Sequence, residues 1–196
     1  MDHYFTDNTD IKSEIKEIIY NIEDVSLKFK SDNGVFSKQC IDYGSSLLIK
    51  GYLENNTIEK SILDVGCGYG VIGISIVKLR GGKLVATDVN SRCVHLTNMN
   101  IKDLKVNGNA IYSNIYEEVN QKFDVVITNP PIRAGKSVYL SILENAYKYL
   151  NDDGELWFVI RKDQGKKSIM EYLSHIYDLS VMKKDAGYFV VKAKKC

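Results

Sequence analysis

The densest chemistry in the chain sits in four residues, Asn129-Pro130-Pro131-Ile132, which follow the apolar run Phe123–Thr128. Two successive prolines stop a strand, because each fixes φ and lacks an N–H donor. They also stiffen the turn, so that the Asn129 side-chain oxygen and the Pro130 carbonyl form a fixed pair of acceptors. An exocyclic amino group on an aromatic ring is a poor nucleophile, since its lone pair is delocalised into the ring. Two acceptors that take its N–H bonds favour a pyramidal nitrogen with the lone pair free to attack. Such chemistry runs on positioning and electrostatics and needs no strong general base. Asn129, Pro130 and Pro131 are therefore the candidate catalytic residues.

A second group lies upstream. Ile62–Val65 reads as a strand that runs into Gly66-Cys67-Gly68-Tyr69-Gly70, with a helix after it. Glycines at such a turn let a ligand approach backbone N–H groups closely. Asp88, with Val89 beside it, ends the next strand, where a carboxylate can accept both hydroxyl hydrogens of a ribose. Gly68, Gly70 and Gly73 also spell G-x-G-x-x-G, and Asp88 lies 20 residues after Gly68, as in an NAD fingerprint. An NAD-binding oxidoreductase is thus the rival reading. Two features favour S-adenosylmethionine instead. Gly73 falls about a turn into the helix, which leaves Gly66, Gly68 and Gly70 as the better-placed glycines. Asp64, just before the loop, would repel a pyrophosphate but can help hold an ammonium and a sulfonium.

These residues need elements to hold them. Apolar runs at 62–65, 83–87, 109–112, 123–128 and 155–160 read as strands. Helical stretches fall near 71–80, 91–104, 136–150 and 164–175. Strand–helix alternation implies a mostly parallel sheet covered on both faces. Leu179–Lys183 and Tyr188–Ala193 have no helix between them, and Asp185-Ala186-Gly187 can fold them into an antiparallel hairpin. The expected fold is α/β and Rossmann-like: seven strands, mostly parallel, with a terminal antiparallel hairpin. Upstream, the isoleucines at 11, 15, 18 and 19 are spaced as in a helix over 11–20. Val25, Leu27 and Phe29 alternate as in a strand over 25–30, and a helix follows over about 39–54. Residues 1–60 read as an N-terminal extension and 61–196 as the cofactor-binding and catalytic core of one domain.

Together these residues resemble the class I methyltransferases that modify planar amino nitrogens, whose signature is Asn/Asp-Pro-Pro-aromatic. Within that group the chain is similar to the C-type small-subunit ribosomal RNA guanine-N2 methyltransferases and their short single-domain relatives. The likeness covers about residues 25–195. It is carried by Gly34-Val35-Phe36-Ser37, Ile41-Asp42-Tyr43-Gly44-Ser45, the loop Leu63–Gly70, Ser113-Asn114-Ile115-Tyr116, the turn Asn129–Lys136 and the hairpin Ala186–Val191. The resemblance implies S-adenosyl-L-methionine as cofactor and ribosomal RNA, or the small ribosomal subunit, as partner. It implies that Phe36 and Ser37 border the cofactor, with Asp42 and Ser45 nearby, and that Asn114 and Ile115 meet its adenine. The same resemblance makes Ile132, Arg133 and Lys136, in the catalytic turn, candidate acceptor contacts. Ile132 departs from the usual aromatic, and a flipped base would lose about 1–3 kcal/mol of stacking there. Tyr43 or Phe36 are candidate substitutes. The bacterial C-type enzymes carry an additional N-terminal domain, and no counterpart to it is expected in residues 1–60. A protein glutamine, a DNA adenine and a non-catalytic assembly role stay open beside the RNA reading.

Bulk properties bound this picture without choosing it. The chain has 196 residues, 44% hydrophobic and 26% charged, as in a globular domain. No apolar run approaches the roughly 20 residues needed to cross a bilayer. Residues 1–10 are polar and do not read as a signal peptide, so the cytoplasm is the expected compartment. Cys40, Cys67, Cys93 and Cys196 form no C-x-x-C pair and the three histidines no cluster, so no metal site is expected. A net charge of +1 is not that of a typical nucleic-acid binder. Phosphate contacts would have to come from local patches: Arg161 and Lys162, Lys166 and Lys167, or Lys192, Lys194 and Lys195.

Overall fold

The computed structural model describes residues 12–37 and 39–195. Strands β1 (Lys16–Ile22) and β2 (Val25–Ser31) form an antiparallel ribbon. Helix α1 (Tyr43–Asn55) leads into an alternation of β3 (Lys60–Val65), α2 (Val71–Arg80), β4 (Gly82–Asp88), α3 (Ser91–Asp103), β5 (Gly108–Tyr112) and β6 (Phe123–Thr128). Then come α4 (Lys136–Tyr149), β7 (Leu150–Arg161), α5 (Lys166–Leu173), β8 (Tyr177–Asp185) and β9 (Tyr188–Lys195).

The main sheet has seven strands in the order β5-β4-β3-β6-β7-β9-β8. Strands β3 to β7 pair in parallel, and β9 runs antiparallel to both β7 and β8. This is the sheet expected from the sequence, with one strand reversed. The hairpin closes through Ala186 (φ 45°) and Gly187 (φ 80°), both left-handed, as a two-residue turn between twisted strands requires. Strand order reverses between β3 and β6, so their carboxyl ends lie at the point where such sheets bind ligands.

Alternate residues of each strand feed two cores. Along β7, Trp157 and Val159 face α1, α2, α3 and the ribbon, whereas Leu156, Phe158 and Ile160 face α4 and α5. The parallel strands read as near-continuous apolar runs because both of their faces are covered.

The N-terminal reading needs correction. Residues 16–22 form strand β1, not part of a helix over 11–20; residues 1–11 lie outside the described residues. The buried side chains are Ile18, Tyr20 and Ile22, at a period of two, while Ile15 and Ile19 are exposed. Pairing with β2, which buries Leu27 and Phe29, overrides the helical spacing of the isoleucines. Helix α1 also starts later than expected, at Tyr43, because Asp42 caps it by accepting from the Ser45 N–H at 2.9 Å.

The ribbon is pinned to the core by one buried amide. Asn100 on α3 accepts from the Lys30 N–H (2.7 Å) and donates to the Lys30 carbonyl (2.9 Å) and the Tyr69 carbonyl (2.8 Å). It thereby satisfies the outer edge of β2 and reaches the glycine loop. Replacing Asn100 with Ala strands three backbone groups. We expect a loss of about 3 kcal/mol in urea unfolding; a loss below 0.5 kcal/mol, on the scale of a neutral surface change, would show that the ribbon does not depend on this amide.

Candidate active site

The loop after β3 is built on three left-handed glycines: Gly66 (φ 72°), Gly68 (φ 59°) and Gly70 (φ 88°). A Cβ on Gly66 or Gly68 would meet nothing within 4 Å, whereas one on Gly70 would lie 2.6 Å from Ile74 and 2.8 Å from Thr97. Gly66 and Gly68 thus leave open space over the backbone, and Gly70 closes the loop onto α2 and α3. The loop is fastened to β4: Gly66 and Cys67 donate to the Thr87 carbonyl at 2.9 and 3.0 Å, and Gly68 donates to Asp88 Oδ2 at 2.9 Å. Asp88 Oδ1 accepts from Asn90 N at 2.9 Å, and Val89 lies half-buried between them. The Cys67 side chain is buried beside Thr97 Oγ1 at 3.5 Å, facing away from the open space over the loop glycines.

Asp64 is fully buried at the end of β3. Its Oδ2 accepts from the Gly73 N–H at 2.9 Å, and its Oδ1 has no hydrogen-bond partner. Gly73 is there for packing, since a Cβ would lie 2.5 Å from Leu84 and 3.0 Å from Asp64 Oδ2. The third glycine of a dinucleotide loop does the same. The place of Gly73 in the helix therefore does not separate the two cofactors; the charge of Asp64 does. Burial pushes Asp64 up to about 7 and Asp88 up to about 6. Open space above two glycines over two carboxylates, one with an orphan oxygen, fits a ligand with positive charge and a ribose.

Segment 33–37 borders the same edge. Arg92 donates to the Asn33 carbonyl at 2.6 Å and Asn90 to the Gly34 carbonyl at 3.4 Å, while Ser37 takes a left-handed φ of 55°. Phe36 is 48% exposed there. Beyond β5, Asn114 is exposed and donates to Glu117 at 2.8 Å, and Ile115 has a φ of 55°, rare for a β-branched residue. Ser113 holds that turn by donating to the Ile115 carbonyl at 3.2 Å and accepting from Glu118 N at 3.1 Å.

The turn after β6 is the second half of the site. Thr128 donates to the Val65 carbonyl at 2.8 Å, which ties the end of β6 to the start of the glycine loop. Asn129 Nδ2 donates to Asp42 Oδ2 and to Ser45 Oγ, each at 2.9 Å. Both donor hydrogens are taken, and Oδ1 accepts from no described residue. Asp42 and Ser45 cap α1 and hold Asn129. Pro131 (φ −74°, ψ 79°) forms an inverse γ-turn in which Ile132 N donates to the Pro130 carbonyl at 2.8 Å. One lone pair of the Pro130 oxygen is therefore used within the turn and the other remains. Ile132 packs half-buried against the core under α4, and Lys136 is exposed on the first turn of α4. Arg133 lies in the 3-10 turn Ile132–Ala134, with its side chain outside the described residues.

Sequence reasoning missed the partners of Asn129 and the Thr128 tie, since each joins segments far apart in the chain. Of the basic patches that the sequence offered, the fold puts the tail lysines and the others at opposite edges. Lys192 and Lys194 lie 3.8 and 3.6 Å from Glu155, and Lys195 donates to the Leu150 carbonyl. They sit at the amino edge of the sheet, away from the glycine loop. Arg161, Lys162, Lys166 and Lys167 sit at the carboxyl edge, on the same side as Asn129.

The model of the methyltransferase small domain matches residues 26–192. The uncharacterized protein YbxB of Bacillus subtilis is 41% identical over 99% of this chain and 98% of its own length. The ribosomal RNA small subunit methyltransferase C of Buchnera aphidicola is 34% identical over 74% of this chain, but the match spans 46% of that protein. Among solved structures, the 16S rRNA N2 methyltransferase of T. thermophilus, in complex with AdoMet and guanosine, superposes with a TM-score of 0.81 at 22% identity, covering 93% of this chain and 51% of that one. The chain thus spans about half the length of the relatives named as ribosomal RNA methyltransferases.

Two outcomes follow from this geometry. If S-adenosylmethionine sits over Asp64 and Asp88, its positive charge favours their ionised forms, and its affinity should fall as pH drops through about 7 and about 6. Calorimetry should show a dissociation constant at pH 5 about tenfold or more above that at pH 7.5, with proton release on binding; a flat profile would remove these carboxylates from the cofactor site. Asp42→Asn offers Asn129 a donor as well as an acceptor and frees its amide to turn over. Turnover should fall about tenfold or more with cofactor affinity within about twofold; full turnover would show that the orientation of Asn129 is set elsewhere.

Proposed function

The chain belongs to the methyltransferase small-domain family, and on that footing we propose that it methylates an exocyclic amino nitrogen, guanine N2 of small-subunit ribosomal RNA. S-adenosylmethionine is its methyl donor, and when bound it supplies an electrophilic methyl group on a sulfonium. The chain's own residues then prepare the nucleophile. The Asn129 Oδ1 accepts one N–H of the incoming amino group, and the free lone pair of the Pro130 oxygen accepts the other. Both bonds draw the nitrogen out of conjugation and aim its lone pair toward the glycine loop. As the N–C bond forms, the methyl–sulfur bond breaks with its electron pair left on sulfur as a neutral thioether; the nitrogen becomes cationic, and the same two oxygens stabilise that charge. Its proton then leaves to water, so no side chain at the turn has to act as a base. The base must be unstacked to reach this turn, as in other enzymes that do chemistry on a base.

The observation that carries this reading is the oriented amide of Asn129, with both N–H groups engaged and Oδ1 without a donor among the described residues. Guanine in ribosomal RNA is favoured by relatives named as small-subunit methyltransferases and by the basic residues at the catalytic edge. With such a substrate, the cytoplasm is the compartment we propose for the reaction. Tritiated methyl transfer to naked ribosomal RNA, small subunits and ribosomal proteins tests it. Label should enter guanine in RNA; label in a protein glutamine alone would overturn the acceptor. Asn129→Ala should cut turnover about 10²-fold or more with cofactor affinity nearly intact. Loss of cofactor binding with normal turnover at saturation would contradict its assigned role.

A further inference from the structure

We propose that Tyr43 is the ring on which the acceptor base stacks, braced from behind by Tyr188 and Asp185. The inference rests on the RNA reading above and adds what holds the base.

Tyr43 opens α1, directly after the carboxylate that orients Asn129. The point where a Cβ on Gly44 would sit is 3.1 Å from Asp42 Oδ2 and 3.1 Å from Tyr188 Cε1, so the tyrosine pair and the Asn129 anchor are immediate neighbours. Tyr43 is 44% exposed yet fixed. Its hydroxyl donates to Asp185 Oδ2 at the end of β8, and its ring lies 5.4 Å from that of Tyr188 at 49°. Tyr188 starts β9 opposite Arg161, whose guanidinium stands 5.4 Å over the Tyr188 ring. Exposed tyrosines usually rotate; this one is held at its backbone, its edge and its hydroxyl.

A rigid, solvent-facing aromatic beside a catalytic amide offers a large contact area with little entropy left to lose. It also fills a gap. Ile132, at the usual place of a stacking ring, packs half-buried against the core and presents no π face. Charge points to a nucleic acid as the occupant. Arg161 and Lys162 follow Tyr188 along the same edge, and Lys166 Nζ lies 3.8 Å from the Phe189 ring centroid. Arg161 also pairs with Asp163 at 3.0 Å, which leaves Lys162 and Lys166 as the principal phosphate contacts.

The test measures KM and kcat on ribosomal RNA transcribed in vitro, together with cofactor affinity and melting temperature. Tyr43→Ala should raise KM for RNA about tenfold or more, change kcat less than about threefold and leave cofactor affinity unchanged. Tyr43→Phe, which keeps the ring without the Asp185 bond, and Tyr43→Trp should both stay within about threefold of the parent KM. If Tyr43→Ala melts early, Tyr43→Leu, an apolar side chain without a π face, gives the same reading. An unchanged KM in the Ala or Leu variant, or a Phe variant as impaired as Ala, overturns the platform while the RNA reading stands. RNA that the parent protein does not methylate overturns the RNA reading itself, and the platform with it.

Discussion

A carboxamide has one face that donates and one that accepts, and nothing in its covalent structure decides which points at a substrate. In this chain the decision is made by Asp42. Its carboxylate accepts only, so the amide nitrogen of Asn129 must turn toward it, and Ser45 Oγ takes the second hydrogen. The oxygen is then left for an incoming N–H. The same Asp42 oxygen caps α1 through Ser45 N. Orientation of the Asn129 amide and the starting point of α1 are therefore one constraint, and α1 has to lie with its N-terminus over the carboxyl end of β6. Its packing on α2, β7, β8 and β9 holds it there.

The rest of the site is a set of ties between adjacent strand ends. Thr87 and Asp88 on β4 take the N–H groups of Gly66, Cys67 and Gly68, and Thr128 on β6 donates to Val65 on β3. Neighbouring strands lie about 4.8 Å apart, so the glycine loop and the Asn-Pro-Pro turn are set one strand spacing from each other by the sheet itself. A reaction that depends on holding a methyl donor against a weak nucleophile needs such fixed separation more than it needs an acid or base. Burial of Asp64 and the partial burial of Asp88 disfavour the charged carboxylates, which is why both titrate well above the usual carboxylate range.

How much of this could be read from the residues follows from where each signal resides. Buried parallel strands separated by glycine-led helices leave apolar runs that cannot be mistaken, and Asp185-Ala186-Gly187 marks the hairpin. Asn129, Asp64 and Asp88 stand out in the sequence because the chemistry proposed for them lies in the motif that carries them. The second strand of the ribbon was legible in the alternation of Val25, Leu27 and Phe29, but the first was not: Ile15, Ile18 and Ile19 suit a helix, while Ile18, Tyr20 and Ile22 suit a strand, and only the partner strand decides. Asp42 and Ser45 stand 87 and 84 residues from Asn129, so their part in orienting it exists only after folding. The inverse γ-turn at Pro131 is likewise a conformation, and it uses half of an acceptor that the sequence offered whole.

Charge shows the same dependence on topology. A net +1 spread evenly would give little field for an anionic partner. The fold does not spread it evenly. At the amino edge, Glu155 is surrounded by Lys60, Lys192 and Lys194 within 3.8 Å, so part of the basic charge is spent against a buried acid. At the carboxyl edge, Lys162, Lys166 and Lys167 have no carboxylate within ion-pair distance among the described residues. Local density of unpaired cations, not the sum over the chain, sets the potential that an approaching phosphate meets. For the proposed RNA acceptor this puts attraction on the edge that carries Asn129, and it lets a nearly neutral protein present a basic catalytic face.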